Sequence, residues 1–380
     1  MSDSLYFGTE TEDEIYDDKV IELEIQEDEE VYEIPTELRK LRVQAYDKSV
    51  SDLVRMVREE DIILNPEYQR NYVWDNKKAS LLIESILLNI PIPVIYASEE
   101  EDNTWNIVDG LQRLTALTRF FENRFKLRGL GVLSELNGSS YHDLNTKAKR
   151  VLNNGNLRII LLFNDSHPEI KYDIFMRLNS GAVKLNEQEL RNCLYRGNLN
   201  DAIKNFSRNP KMLRILGLKL PHKRMVDCEM ILRYFAFSEN YDAENKTIRN
   251  YKGSTKTFLN SYFATNQKMS QDDLKRLKNK FETVINSVYE VFGDKAFRKL
   301  NEDGFETKIN KAIMDVIMIS FEQYSFEQIK AKKNEILDLY KTKLDEHRFN
   351  IAVTQGTSDT KVLEYRLNEW ITELNKVMMV

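Results

Sequence analysis

Two cysteines in 380 residues, Cys193 and Cys228, exclude a disulfide framework and any four-cysteine zinc site. The four histidines (His142, His167, His222, His347) lie far apart, with no HExxH and no paired metal-ligand spacing, which argues against the common zinc hydrolases. Thirteen glycines and seven prolines are too few for a collagen-like or low-complexity chain. No charged-then-apolar leader opens the sequence, so secretion is not expected. The most apolar stretch, residues 80–97, is interrupted by Glu84, Asn89, Pro91 and Pro93 and is too broken to span a membrane. Elimination leaves a cytoplasmic protein without a membrane partner as the expectation.

What is present is a globular composition: 42% apolar and 31% charged residues, enough for a sizeable core. At about 150 residues per domain the length implies two or three packing units. The charge is unevenly placed. Lys and Arg total 55 and Asp and Glu 61, a net −6. Residues 1–34 hold fourteen acids and one base, Lys19, a net −13, so the remainder carries +7. One reading is a solvated, flexible acidic leader. A sharper one is that the leader covers a basic groove until nucleic acid displaces it.

Hydropathy patterning divides the body. Val50, Leu53, Val54 and Val57 share a helical face behind a Ser49 N-cap. Ile62–Leu64 reads as a short strand. Asp75 can cap a helix through Leu81, Leu82, Ile83 and Ile86, ended by Pro91. Val94–Ala97, Trp105–Val108 and Leu157–Phe163 read as strands, the last a buried one. A helix with Leu114, Leu117 and Phe121 on one face follows Gly110. Helices are also expected over 170–178 and 186–195, the second opened by an Asn186/Glu189 capping box. After residue 198 strands nearly vanish. Apolar stripes run from Leu274 to Val291, from Ile313 to Phe321, and through Ile329, Ile336, Leu339 and Leu344. The expected class is α+β, with an acidic leader over 1–34, a small mixed-sheet domain over 35–197 and an all-helical domain over 198–380.

Three clusters invite a chemical reading. In IVDGLQRLTAL, residues 107–117, a strand ends at Asp109-Gly110 and a helix starts at once. Gly110 permits a tight turn and close backbone approach. The first-turn N–H groups of Leu111, Gln112 and Arg113 would face a phosphate at the positive end of the helix dipole, and Arg113 would add a planar fork of donors. Asp109 beside a phosphate is awkward unless Mg²⁺ bridges the two. The alternative is an ordinary strand-to-helix turn. In NPEYQRNYVW, residues 65–74, Gln69 and Arg70 stand among Tyr68, Tyr72 and Trp74, a base-stacking or phosphate site, or else a loop packed down by its aromatics. In IFMRLNSGAVKLNEQELRN, residues 174–192, Arg177, Asn179 and Ser180 gather at a helix end before Gly181, which also suits a plain helix–turn–helix corner.

Taken in order, these stretches resemble a known family, the DGQQR-motif proteins, family 262 of the domains of unknown function. It includes the N-terminal half of GmrSD-type modification-dependent restriction enzymes and the defence protein SspE. The resemblance covers roughly residues 35–235. It adds LLIESILLNIPIPVIY at 81–96, DGLQR at 109–113 and RMVDCEMILRY at 224–234 to the clusters above. It implies a ParB/sulfiredoxin-like fold and a nucleoside triphosphate (ATP, GTP or CTP) bound with Mg²⁺ and hydrolysed. It also implies a DNA-linked role in anti-phage defence or restriction. On that reading Asp109, Gln112 and Arg113 are catalytic, with Asp109 the metal ligand. Gln69, Arg70, Gly110, Leu111, Thr115, Arg177 and Asn179 bind nucleotide.

Leu111 departs from the family, which usually has Gln there. If only its backbone N–H matters, little changes. If a Gln side chain serves turnover, Leu111→Gln should raise the rate. Relatives often carry a C-terminal HNH nuclease, but after residue 222 this sequence has one histidine, His347, expected on an exposed helix. The chain would then be a family member without the nuclease half: a sensor, a regulator, or one subunit of a split system with a nuclease partner. The alternatives are a nonenzymatic DNA-binding or scaffold module and a stand-alone ParB-like nuclease. The latter would need an acidic metal cluster, and none is visible in the sequence beyond Asp109 and Glu84.

Overall fold

A computed structural model describes residues 16, 17, 19, 21–23, 41–64, 74–178, 185–301 and 304–379. The chain divides into two compact units, one over Ile34–Leu194 and one over Met1–Glu33 with Tyr195–Val380. The architecture is α+β, a small mixed sheet followed by helices.

The first unit is built on five strands: β1 (Val43–Ser49), β2 (Ile62–Ile63), β3 (Ile95–Glu99), β4 (Trp105–Asp109) and β5 (Asn156–Leu162), in the order β1-β5-β3-β4-β2. β1 runs antiparallel to β5, from Val43 opposite Leu162 to Ser49 opposite Asn156. β5 and β3 are parallel, β3 and β4 antiparallel, β4 and β2 parallel. Side chains alternate along a strand, so each strand can feed two cores. Ile95, Ala97, Ile107, Leu157, Ile159 and Leu161 face a core shared with four helices. These are α1 (Val50–Arg58), α2 (Asn76–Leu87), α3 (Leu111–Phe121) and α4 (Thr146–Asn154). Val108 and Leu162 belong to a second core with Tyr172, Phe175 and Leu190 of α5 (Pro168–Leu178) and α6 (Glu187–Leu194). Burial on both faces explains the apolar run Ile159–Leu162 of β5, which begins after the exposed Arg158.

Local chemistry sets most boundaries. Ser49 caps α1 by accepting from the Asp52 N–H, and Asp75 caps α2 through Lys78 N–H. Asn186 and Glu189 exchange backbone-to-side-chain bonds of 2.7 and 2.8 Å, the reciprocal cap expected at α6. Pro91 does not end α2. The helix stops at Leu87, Asn89 takes a left-handed φ of 55°, and the Ile90 N–H reaches back to the Ser85 carbonyl. This is an asparagine-bearing left-handed cap, set before the proline is reached. β1 and α4 have no counterpart in the sequence pattern. β1 is an exposed edge, and α4 buries only Leu152. Glu84 is not available to a metal either. Its Oε1 accepts from the N–H groups of Val132 and Leu133 at 2.9 and 2.8 Å.

The second unit is helical, with two short hairpins at 241–248 and 300–305. It comprises α7 (Asn198–Phe206), α8 (Pro210–Leu216), α9 (Val226–Asn240), α10 (Thr255–Asn266), α11 (Gln271–Phe292), α12 (Lys311–Phe321), α13 (Phe326–Ala331), α14 (Lys333–Asp345), α15 (His347–Ala352) and α16 (Thr360–Met379). The whole Leu274–Val291 stripe is buried on α11. The stripe expected from Ile329 to Leu344 belongs to two helices, α13 and α14, meeting at Lys332. α12 is buried on every side, with Met314, Met318 and Ile319 inside as well as its predicted stripe.

At the centre of this unit Arg233 of α9 clamps Asp315 of α12 with two bonds of 2.8 Å. Arg366 of α16 adds a third at 3.3 Å. All three side chains are buried. Removing a buried carboxylate from two guanidiniums leaves uncompensated charge, which costs about 3–5 kcal/mol. Asp315→Ala should therefore lower urea-unfolding stability by that order, whereas Arg233→Met, Asp315→Leu and Arg366→Met combined should cost far less. Equal losses in the single and triple variants would show that shape, not charge pairing, governs the site.

Candidate functional site

The 109–113 segment is formed where β4 meets α3. Register shifts here: Ala97 pairs with Ile107, but Tyr96 pairs with Asp109, leaving Val108 as an extra residue. A bulge of this kind re-aims the side chain at a strand end. Asp109 emerges with its carboxylate 56% exposed. Gly110 then turns the chain at φ 103° and serves as the N-cap of α3 without a side-chain cap bond. A Cβ at Gly110 would lie 2.8 Å from Ile95 Cγ1, so both backbone angle and space demand glycine. The first bond inside α3 runs from the Leu114 N–H to the Gly110 carbonyl. The first-turn N–H groups of α3 thus precede the helical ladder, at the positive end of the dipole.

Arg113 is engaged within the fold. Its Nη2 donates to Asp109 Oδ2 at 2.7 Å. Nη1 donates to the Pro93 carbonyl, and both terminal nitrogens reach the Val94 carbonyl at 3.2 and 3.3 Å. The side chain is only 11% exposed. Burial pulls its pKa below the ordinary arginine value, and the Asp109 carboxylate pulls the other way. The fork is therefore turned onto the Asp109 side chain and the 93–94 backbone, not offered outward to a phosphate.

Leu111 belongs to the apolar core and is 8% exposed. Only its backbone can face a ligand, so the departure from Gln is matched by its surroundings. The expectation that Leu111→Gln would raise turnover does not fit this placement. Gln112 accepts from the Trp74 N–H at 3.4 Å, which ties the turn to the end of the 65–74 cluster. Trp74 packs against the same core and carries Lys78 Nζ over its ring at 4.8 Å. Thr115 is half-buried one turn along α3. Arg177 is exposed on α5 and pairs with Asp173 at 2.8 Å, and nothing described joins it to the turn. Gln69, Arg70 and Asn179 lie outside the described residues.

No group of three or more His, Cys, Asp or Glu that could hold a metal ion exists among the described residues. Asp109 alone fits Mg²⁺ only in the usual nucleotide manner, one carboxylate plus the ligand's own phosphates. His347 is exposed at the start of α15, as expected. No described helix is long and apolar enough to cross a membrane. Two cavities, of about 680 and 580 Å³, lie in the helical unit, one lined by α7 and α11 and the other by α10 and α11; neither includes the turn.

Residues 50–196 match the family model described as the GmrSD restriction endonuclease, N-terminal domain. The resemblance read from the motifs therefore holds over that stretch, which contains α1–α6 and the β4–α3 turn. No curated protein matches the chain.

The turn's constraints are measurable. Gly110→Ala should lower stability by about 2 kcal/mol, from left-handed backbone strain together with the Ile95 contact. Leu111→Gln should cost about 1–3 kcal/mol by burying an amide without partners. Thermal melts of both variants check this. An unchanged midpoint for Leu111→Gln would mean that position 111 can turn outward.

Proposed function

We propose that this chain is a restriction-related, DNA-linked protein whose sheet unit binds a nucleoside triphosphate at the β4–α3 turn and hydrolyses it with Mg²⁺. The observation that carries the reading is the outward carboxylate of Asp109, set immediately before a glycine-forced turn and an eleven-residue helix. The match to the restriction endonuclease N-terminal domain supports the DNA-linked context.

In this reading the first-turn N–H groups of α3 bind phosphate oxygens, and Asp109 would hold the metal, which supplies charge neutralisation at the transferring phosphoryl group. Arg113 acts as a positioning residue. It fixes the Asp109 carboxylate and anchors the 93–94 backbone under the turn. Gln112 is the side chain of the turn that stays half-exposed. Gln69, Arg70, Thr115, Arg177 and Asn179 remain proposed nucleotide contacts. The nucleotide is one of ATP, GTP and CTP, and a nuclease subunit is the proposed protein partner.

A second reading is favoured by a specific observation. Arg113 already has partners for its fork, and Leu111 presents no side chain to a ligand. A nonenzymatic DNA-binding or scaffold module that keeps the fold has the same geometry.

Phosphate release from four NTPs with Mg²⁺, with and without DNA, decides between the two. Two unit charges about 4 Å apart repel by about 4 kcal/mol at an effective dielectric of about 20. Asp109→Asn removes that repulsion while keeping the shape. It should bind NTP without metal at least as well as wild type, yet lose most Mg²⁺-dependent hydrolysis. A wild-type rate in Asp109→Asn would reduce Asp109 to a structural partner of Arg113. No turnover in the wild type under any of these conditions gives the second reading.

A further inference from the structure

The charge of the body is not shared between the units. Residues 35–194 carry 22 Lys and Arg against 22 Asp and Glu and are neutral. Residues 195–380 carry 32 against 25, so the entire +7 lies there. Part of it borders the larger of the two cavities, the cleft of about 680 Å³ between α7 and α11.

Each helix gives this cleft one continuous side. On α7 the lining positions are Asn198, Asp201, Ala202 and Asn205, spaced i, i+3, i+4 and i+7. On α11 Gln271, Leu274, Lys275 and Lys278 repeat the same spacing. The inner positions make an apolar floor. Ala202, Leu274, Phe206 and Phe281 are buried there, the two rings stacked with centroids 6.0 Å apart. The rim is polar: Asn205 and Gln271 are exposed amides, and Arg208, Lys275 and Lys278 are exposed cations. Two acids, Asp201 and Glu282, also line the cleft. Lys278 and Glu282 approach to 3.9 Å, an exposed pair that holds the cation only weakly. Arg208 and Lys275 form no ion pair among the described residues.

Cations continue along the same side of α11. Glu282 and Tyr289 follow Lys275 at steps of seven residues, two helical turns each. The first residue of α8, Pro210, lines the cleft, and farther along α8 Lys211 and Arg214 set their charged groups 5.7 and 5.1 Å from the Tyr289 ring centre. Arg214 pairs with Asp294, whereas Lys211 has no ion pair among the described residues. One cleft and one ring thus gather Arg208, Lys211, Arg214, Lys275 and Lys278 along α11.

An apolar floor, amides beside it and cations without carboxylates match the base face, base edge and phosphate of an unpaired nucleotide. The volume lies within the range of about 300–1,000 Å³ usual for small-ligand sites, so it admits a base but not a duplex. We infer that the α7–α11 cleft binds an unpaired nucleotide of single-stranded DNA. The base lies on the apolar floor, flanking phosphates meet Arg208, Lys275 and Lys278, and the strand continues toward Lys211 and Arg214. The choice of DNA rests on the DNA-linked reading above; nucleotide turnover at the β4–α3 turn is not required.

Fluorescence anisotropy of a labelled oligothymidylate and of a blunt duplex, both without NTP, tests this on the full chain. Arg208→Gln, Lys275→Gln and Lys278→Gln combined should weaken oligothymidylate binding at least about tenfold at about 50 mM salt and reduce the log–log salt slope by about 2, at about 0.7 per phosphate contact. Asn205→Trp fills the cleft without changing its charge and should weaken binding at least about fivefold. Circular dichroism should match the wild type in both variants. Unchanged affinity in the triple variant overturns the site, as does an equal loss in a control with Lys330→Gln, Lys341→Gln and Lys361→Gln. Unchanged affinity in Asn205→Trp overturns insertion of a base. Duplex binding without oligothymidylate binding overturns the cleft but leaves the DNA-linked reading standing; binding of neither overturns both.

Discussion

Gly110 has no room for a side chain, and much of the sheet unit's geometry follows from that. The left-handed turn lets β4 end and α3 begin within one residue, with Ile95 of β3 packed against the bare Cα. Because the turn is so tight, Asp109 and Arg113 fall one helical turn apart and pair. Arg113 can then reach across to the 93–94 carbonyls and tie α3 to the entry of β3. A longer loop would separate these groups and free the fork. The same compactness that could bring a phosphate to the head of α3 thus gives Arg113 its internal partners.

That internal engagement has an electrostatic logic. A guanidinium taken mostly out of water loses solvation, and three acceptors replace it here: one carboxylate and two carbonyls. Asp109 supplies the compensating charge from a position that still faces solvent. A ligand phosphate arriving at the turn would meet a carboxylate already half-balanced by its own arginine. This makes the pair softer toward an anion than Asp109 alone, and it makes Asp109 the residue whose charge a ligand senses first.

Legibility in the sequence followed burial. α1, α2 and α6 declared their starts because Ser49, Asp75 and Asn186 cap through short local bonds that depend on neighbours in sequence. The α11 stripe was readable because one face meets the core and the other meets water. β1 and α4 escaped because they bury little: β1 is an exposed edge, and α4 is nine residues long and buries only Leu152. The division of the last stripe into α13 and α14 was hidden because the apolar spacing runs on across Lys332. At the site, the Asp109-Gly110 turn was visible, but the direction of Arg113 was not. Its partners are backbone carbonyls some twenty residues upstream, and no side-chain pattern encodes a carbonyl. Leu111 looked like a lost functional residue until its surroundings showed an apolar core.

The division of charge bears on how the two units could share one task. The stretch that matches the restriction-enzyme domain ends at residue 196, and the positive excess begins with the residues that follow. The net positive charge of residues 35–380 lies in residues 195–380, where 32 cations outnumber 25 anions. The leader's −13 is more than enough to cancel that excess when both are counted together.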